Sequence, residues 1–206
     1  MKLYTVKTPE LVQRMFSSYT WRFSSVPKHI YLTFDDGPTP EVTDFVLDQL
    51  KQYDAKATFF CIGKNVKCHH NIYERILKEG HAVGNHTFNH LNGFKTKNKE
   101  YLENVQHAAA HIHSNLFRPP YGKIKSSQGK TLLKDGYKLI MWDVLSGDFD
   151  LSITPEKCLQ NVLSHTTNGS IVVMHDSVKA KEKIWYSLPK ILAHFSEKGF
   201  VFKAID

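Results

Sequence analysis

Short segments rich in β-branched and aromatic residues alternate with segments of helical periodicity along this chain of 206 residues. This alternation favours βαβ units and a parallel sheet. Seven segments have strand-like composition: residues 30–34, 58–62, 81–84, 116–118, 137–142, 171–175 and 200–204. The predicted fold class is therefore α/β, with parallel strands in a single domain. In barrels of this class the active site lies at the carboxyl ends of the strands, so polar residues that follow strands are the functional candidates.

Three tripeptides of the same composition predict helix N-termini: Thr8-Pro9-Glu10, Thr39-Pro40-Glu41 and Thr154-Pro155-Glu156. In each tripeptide, threonine suits the N-cap, proline suits the first helical position and glutamate suits the positive end of the helix dipole. We expect shared capping chemistry here rather than an internal repeat.

Composition indicates a folded domain. Hydrophobic residues make up 41% of the sequence, which is too many for a disordered chain. No apolar run approaches the roughly 20 residues that a membrane-spanning helix needs. Residues 1–7 lack the hydrophobic stretch of a signal peptide, so we expect the chain to stay in the cytoplasm unless another route exports it. The three cysteines, Cys61, Cys68 and Cys158, show no C-x-x-C spacing, and we expect them to be reduced.

The formal net charge of +7 raises the question of an anionic partner. The basic residues are spread along the chain, and aromatic residues are not interleaved with them as a nucleic-acid platform would require. We therefore expect no nucleic-acid binding, and at most an attraction to an anionic glycan or envelope polymer. We also expect the chain to be a monomer.

Two polar segments carry the residue types of a metal hydrolase. Asp35 and Asp36 follow the first strand-like segment at a Gly-Pro turn, and His86 and His90 lie four residues apart. That spacing would place both imidazoles on one side of a helical turn. One carboxylate with two histidines leaves coordination positions open for water, as in a catalytic zinc site. The other carboxylate is then free to act as a base on that water.

Each segment also has a simpler interpretation. An Asp-Asp pair before Gly-Pro is common in turns, and an H-x-x-x-H pair arises easily among twelve histidines. His107 and His111 have the same spacing, but helical periodicity turns both away from the apolar stripe of their segment, so we expect them to be solvated. A set of two histidines and one carboxylate also serves non-haem iron oxygenases, although those commonly begin with H-x-D.

Four motifs occur in order between residues 29 and 202. They read T-F-D-D-G-P at residues 33–38, H-T-F-N-H at 86–90, R-P-P-Y-G at 118–122 and V-M-H-D at 173–176. With these motifs the chain resembles the polysaccharide deacetylases of carbohydrate esterase family 4, the nodulation-protein-B-like group. The resemblance implies a distorted, incomplete (β/α) barrel of about seven parallel strands. The resemblance also assigns residues 27–206 to the catalytic domain and residues 1–26 to a short N-terminal extension packed on the barrel.

One family motif is altered in this chain. Family members often carry D-x-x-D-W where this chain has Leu145, Asp148 and Phe149. Asp148 matches the second aspartate, whereas Leu145 and Phe149 replace the first aspartate and the tryptophan. We therefore expect a different aromatic wall in the pocket and a different substrate preference.

The resemblance implies roles for the first two motifs and for the arginine of the third. Asp36, His86 and His90 would hold a divalent ion, with Zn²⁺ favoured and Co²⁺, Ni²⁺ or Mn²⁺ as alternatives. Asp35 would accept the proton of the attacking water. Arg118 would pair with Asp35 and keep it ionised and oriented.

The remaining motif residues would serve the oxyanion and the leaving group. The backbone amide of Tyr121 would donate to the oxyanion. His175 would be the acid that protonates the leaving amine, and Asp148 would orient it. The resemblance assigns no role to Asp143 or Asp176.

The resemblance implies removal of acetyl groups from an N-acetylated, GlcNAc-containing glycan, such as peptidoglycan or chitin-type oligomers. An O-acetyl esterase acting on acetylated xylan is one alternative. A catalytically silent glycan-binding protein on the same fold is another. A missing base or metal ligand would favour the silent protein, and none is missing from the sequence.

Overall fold

Eight parallel strands among the described residues form one sheet that curls into a half-barrel. This computed structural model describes residues 4–23 and 28–206. The strands of the described residues are β1 His29–Asp35, β2 Thr58–Cys61, β3 Ala82–Asn85, β4 Leu116–Phe117, β5 Lys138–Leu139, β6 Val144–Leu145, β7 Ile171–His175 and β8 Val201–Phe202. Seven of them follow one another in the order β5-β4-β3-β2-β1-β7-β6, and β8 pairs with the start of β1. The predicted single-domain, incomplete barrel is confirmed, although the short strand β6 was not predicted.

Helices surround the half-barrel. The α-helices of the described residues are α1 Glu10–Met15, α2 Val42–Gln52, α3 Gly63–Cys68, α4 His70–Lys78, α5 Asn98–Ala109, α6 Ser126–Lys134, α7 Pro155–His165 and α8 Lys181–Glu197. Short 3-10 helices lie at Pro120–Gly122 and Val178–Ala180. The main core lies between strands and helices, where Leu32 and Phe34 of β1 share one buried cluster with Leu47 of α2 and Leu188 of α8.

Strand β1 positions the first catalytic candidate. It lies in the middle of the sheet, between β2 and β7. Successive side chains of a strand point to opposite faces, so Leu32 and Phe34 face the helices while Thr33 and Asp35 face the interior of the half-barrel. The pleat therefore delivers the Asp35 carboxylate to the inner face at the carboxyl end of the sheet.

Helices begin within or directly after all three predicted tripeptides, at Glu10, Val42 and Pro155, but only one of the three predicted threonine caps is correct. Thr154 caps α7, because its hydroxyl accepts a hydrogen bond of 3.2 Å from a backbone amide of the first turn. The prediction is wrong for the other two threonines. The hydroxyl of Thr8 donates instead to the Trp142 carbonyl at 2.8 Å. Thr39 does not cap α2, because Glu41 has a φ of 65° and the helix begins only after it.

The N-terminal residues span the open side of the half-barrel, between its edge strands β5 and β6. Lys7 forms a β-bridge with Val144 of β6, and Thr20 forms one with Ile140, which follows β5. The predicted boundary between residues 26 and 27 lies outside the described residues, as do residues 1–3. The division into an extension and a catalytic domain therefore stays a prediction.

The described residues include no helix that is both long and apolar enough to cross a bilayer. All three cysteines are free: Cys61 and Cys158 are buried, and Cys68 is exposed.

Candidate active site

Residues at or after the carboxyl ends of six strands meet in one cleft of about 650 Å³. Asp35 ends β1 and His175 ends β7, and the two are register neighbours across that strand pair. Arg118 and Asp148 lie fully buried behind the cleft surface, and each is hydrogen-bonded to a cleft residue. The other predicted site residues all line the cleft: Asp35, Asp36, His86, His90, Tyr121 and His175.

Asp36, His86 and His90 form a group of metal-ligand type. Oδ1 of Asp36 lies 3.1 Å from Nε2 of His90 and 3.7 Å from Nε2 of His86. The three ligand atoms all lie within 4.8 Å of one another. Oδ1 of Asp36 is buried and has no hydrogen-bond donor among the described residues. A buried carboxylate oxygen without a donor, facing two imidazole nitrogens, fits a divalent cation between them.

The protonation states of these groups suit metal binding. Nδ1 of His86 lies 2.8 Å from the carbonyl oxygen of Arg118, so Nδ1–H donates there and Nε2 keeps its lone pair. Burial lowers the pKa of His86 to about 4, which keeps its ring neutral near pH 7. Burial also raises the pKa of Asp36, but the imidazoles of His90, His175 and His86 together outweigh that effect and hold this pKa well below its usual range.

The chain from His86 to His90 is an irregular loop, so the predicted helical turn is wrong. Thr87 and His90 have φ angles of 63° and 56°, in the left-handed region that such residues seldom adopt. Asn104 of α5 holds this loop, because its Oδ1 accepts hydrogen bonds of 2.9 and 3.0 Å from two successive loop amides. The two imidazoles still converge, with ring centroids 5.1 Å apart.

Arg118 binds Asp35 from inside the half-barrel. Its Nη1 donates to Oδ1 of Asp35 and to the hydroxyl of Thr33, both at 2.7 Å. Its Nε and Nη2 donate to two backbone carbonyls that follow β5, at 3.1 and 3.0 Å. The ring of Phe60 lies against the guanidinium, with the ring centroid 4.0 Å from Cζ. These contacts fix the guanidinium, which in turn orients the Asp35 carboxylate at the cleft edge.

His175 and Asp148 form a second charged pair. Nδ1 of His175 lies 2.7 Å from Oδ1 of Asp148, and the backbone amide of His175 donates to Oδ2 at 2.6 Å. Burial lowers the pKa of His175, but the carboxylate of Asp148, helped by those of Asp36 and Asp35, outweighs burial and raises it to about 10. The imidazole is therefore a charged acid in the metal-free protein. Because Nδ1 is bonded to Asp148, Nε2–H is left to face the cleft.

Tyr121 stands at the mouth of the cleft. Its φ is 61°, its side chain is 59% exposed, and its ring centroid lies 4.5 Å from that of His90. Its backbone N–H has no hydrogen-bond partner among the described residues. This amide can therefore donate to an acceptor on a bound substrate.

Asp176 is a site residue that sequence reasoning left without a role. It is fully buried, and its Oδ1 accepts a hydrogen bond of 3.0 Å from the amide of Gly37, next to Asp36. Its Oδ2 accepts from the Thr43 hydroxyl at 2.6 Å. A Cβ at position 37 would lie only 1.9 Å from Oδ2, so glycine is required there. Burial raises the pKa of Asp176 to about 7. Asp176 thus fixes the turn that carries Asp36.

The altered aromatic wall is completed from the N-terminal residues. Phe149 lies edge-on to His175, with ring centroids 5.2 Å apart. The ring of Tyr4 packs against Phe149, also at 5.2 Å, and the Tyr4 hydroxyl donates to Asp150 at 2.7 Å. Tyr4 and Phe149 therefore form together the wall that the sequence predicted to differ.

His107 and His111 lie outside the cleft. His107 is exposed at the end of α5 and stacks on the ring of Phe88, with ring centroids 3.6 Å apart. His111 is partly buried and also lies near Phe88, at 5.8 Å. Neither belongs to the metal-ligand group.

Comparison with known proteins agrees with this site. The sequence model of the family described as polysaccharide deacetylase matches residues 24–140. This chain belongs to the polysaccharide deacetylase family. The deacetylases of this family are metal-dependent, and the chain contains a donor set that could hold such a metal.

Two curated relatives and one solved structure illustrate the similarity. A peptidoglycan-N-acetylglucosamine deacetylase of Bacillus cereus is 33% identical over 193 residues, which cover 91% of each chain. A chitooligosaccharide deacetylase of Azorhizobium caulinodans is 33% identical over 168 residues, covering 78% of this chain and 80% of the relative. A peptidoglycan N-acetylglucosamine deacetylase crystallised with 4-naphthalen-1-yl-N-oxidanyl-benzamide has a TM-score of 0.88 at 30% identity, covering 96% of this chain and 95% of that one.

Proposed function

We propose that this polysaccharide deacetylase is a metal-dependent hydrolase that removes acetyl groups from N-acetylglucosamine units of a glycan of the peptidoglycan or chitin type. One observation carries the proposal. The Asp36-His86-His90 group, a second carboxylate on Asp35 and the charged imidazole of His175 share a single cleft. Metal-assisted amide hydrolysis uses a metal site, a base and an acid of this kind.

Zinc is the metal that we assign to Asp36, His86 and His90. Two imidazoles and one carboxylate, with positions left open, are the ligand set of catalytic zinc; Co²⁺, Ni²⁺ and Mn²⁺ are alternatives. When bound, the ion would polarise the acetyl carbonyl and acidify a water molecule. The structural relative with a TM-score of 0.88 was crystallised with an N-hydroxyamide, a group that chelates divalent metals, and this supports a metal-dependent activity for this chain.

Asp35 is the base in this proposal. It is the cleft carboxylate that does not belong to the three metal ligands, and Nη1 of Arg118 donates a hydrogen bond of 2.7 Å to its Oδ1. This hydrogen bond leaves Oδ2 free to take the proton of the attacking water.

Tyr121 and His175 act on the tetrahedral intermediate. The free amide of Tyr121 donates a hydrogen bond to the oxyanion. An amine leaves poorly unless it is protonated, and Nε2–H of His175 supplies that proton. Asp148 holds the imidazole by two contacts, to its ring and to its backbone amide. These two contacts support a positioning role for Asp148.

The charged His175 also favours N-acetyl over O-acetyl substrates, because an ester expels its alkoxide with less help from an acid. The acetylated-xylan esterase therefore stays the second candidate. A silent glycan-binding protein would not need a complete set of base, acid and metal ligands. Membership of the polysaccharide deacetylase family argues against an iron oxygenase.

The test is acetate release from a panel of glycans with zinc and with a chelator. The panel contains chitotetraose, a GlcNAc-containing peptidoglycan fragment and acetylated xylan. We expect zinc-dependent release from the two N-acetylated substrates. Release from xylan alone would favour the esterase, and no release from any substrate would favour the silent protein. Cytoplasmic residence and a monomeric state stay predictions.

A further inference from the structure

A second cavity of about 410 Å³ adjoins the catalytic cleft. The two share four wall residues, which are Tyr4, Tyr121, Trp142 and Leu145. The exposed ring of Tyr121 stands between the two spaces. The cavity is therefore a continuation of the cleft, and the metal-ligand residues line the cleft but not the cavity.

The outer wall of this second cavity comes from the N-terminal residues. Thr5, Thr8, Pro9, Val12 and Trp21 line it, opposite the barrel residues that follow β4 and β5. A wall contributed by a short segment can define a binding site only if the segment is held in place.

Asp143, which the catalytic proposal does not use, holds this wall. It is fully buried, and its Oδ2 lies 2.6 Å from Nζ of Lys7 and accepts a hydrogen bond of 2.6 Å from Ser170. The Asp143 carbonyl accepts a hydrogen bond of 2.9 Å from the Thr8 amide, and the Thr8 hydroxyl donates to Trp142. The N-terminal wall is therefore tied to the barrel at Lys7 and Thr8.

The lining of the second cavity suits a sugar. A pyranose ring has apolar C–H faces and a polar edge, so it packs on aromatic rings while its hydroxyls need hydrogen-bonding neighbours. Tyr121, Trp142 and Trp21 supply aromatic surface, and Thr5 and Thr8 supply hydroxyls. The volume is in the range of about 300–1,000 Å³ that is usual for small-molecule sites.

We infer that this second cavity is a subsite for the sugar next to the one whose acetyl group is removed. The inference rests on the proposed function, because that reaction places one sugar of a polymer at the metal ligands. The chain of sugars must continue beyond that unit, and the space past Tyr121 is continuous with the cleft. The N-terminal residues are then part of the substrate-binding surface.

The test fills the cavity by the substitution Val12→Trp, with Leu11→Trp as the matched control. Both positions lie in α1, but Val12 lines the cavity while the Leu11 side chain is 70% exposed and does not. Kinetics are measured on chitotetraose and on 4-nitrophenyl acetate, which has no neighbouring sugar. Binding of chitotetraose is measured separately by calorimetry. A second filling variant, Thr5→Trp, is made in case Val12→Trp does not fold.

A filling variant should lower kcat/KM for chitotetraose on the order of tenfold, mainly through KM, as expected when one aromatic–sugar contact is lost. It should weaken chitotetraose binding by a similar factor and leave aryl acetate cleavage unchanged. Leu11→Trp should resemble the wild type in all three measurements. Wild-type chitotetraose affinity in the filled variants would overturn the subsite. Failure of the proposed function would look different: the wild type would bind the glycan and release no acetate.

Discussion

Replacing Arg118 by methionine should destabilise the metal-free protein by about 3–5 kcal/mol, the usual cost of breaking a buried ion pair. Arg118 is fully buried, and methionine would fill much of its space without offering a donor. The carboxylate of Asp35, only 4% exposed, would then lack its 2.7 Å partner. The hydroxyl of Thr33 and two backbone carbonyls would also lose donors, and this loss is part of the same cost.

The assay is thermal and urea unfolding followed by circular dichroism. For a chain of about 200 residues, 1 kcal/mol shifts Tm by about 2–4 °C, so Arg118→Met should lower Tm by roughly 6–20 °C. The matched control is Arg75→Met. Arg75 contacts three carboxylates at the surface, so its loss should cost about 1 kcal/mol or less despite the larger number of ion pairs.

A double-mutant cycle identifies the source of the cost. Asp35→Asn should rescue part of the loss in Arg118→Met, because a neutral amide is cheaper to bury without a partner than a carboxylate. A cost of Arg118→Met no larger than that of Arg75→Met would refute the reasoning. Strict additivity of the two site substitutions would refute it as well.

Asp35→Asn should retain zinc and lose about 10²–10⁴ in rate, as for other general bases, whereas Asp36→Asn should lose zinc as well. Elemental analysis and rate measurements on both variants check this prediction. Equal zinc loss in the two variants would mean that Asp35 and Asp36 do not have separate roles as base and metal ligand. His175→Ala should damage N-acetyl hydrolysis far more than cleavage of an activated aryl acetate, and equal losses would remove its role as the acid. Because Asp148 raises the pKa of His175, Asp148→Asn should move the basic limb of the pH–rate profile to lower pH. An unchanged basic limb in Asp148→Asn would argue against the effect of Asp148 on the pKa of His175.

The parts of the site that follow strands were predictable from the sequence. Asp35, Asp36 and His175 come directly after or at the end of hydrophobic runs, and parallel strands bring their carboxyl ends together. Strand β6 was missed because the pairing of Val144–Leu145 is defined by β7 and by the N-terminal residues rather than by its own composition.

The sequence could not predict features that depend on distant contacts. The helical turn expected between His86 and His90 is replaced by a loop, because Asn104 satisfies that loop from α5. The role of Asp176 depends on the hydrogen bond that it accepts from the amide of Gly37, which lies 139 residues away in the sequence. Thr8 does not cap α1 for the same reason, because its hydroxyl donates a hydrogen bond to the carbonyl of Trp142, a residue distant in the sequence.

The central claim, that Asp36, His86 and His90 hold the catalytic metal, is tested most directly by titrating zinc into chelated enzyme while acetate release from chitotetraose is followed. The account predicts no activity before zinc is added and full activity near one equivalent. It predicts no recovery at that zinc level in a His86→Ala, His90→Ala double variant that stays folded. Wild-type rates from the chelated double variant would contradict the account.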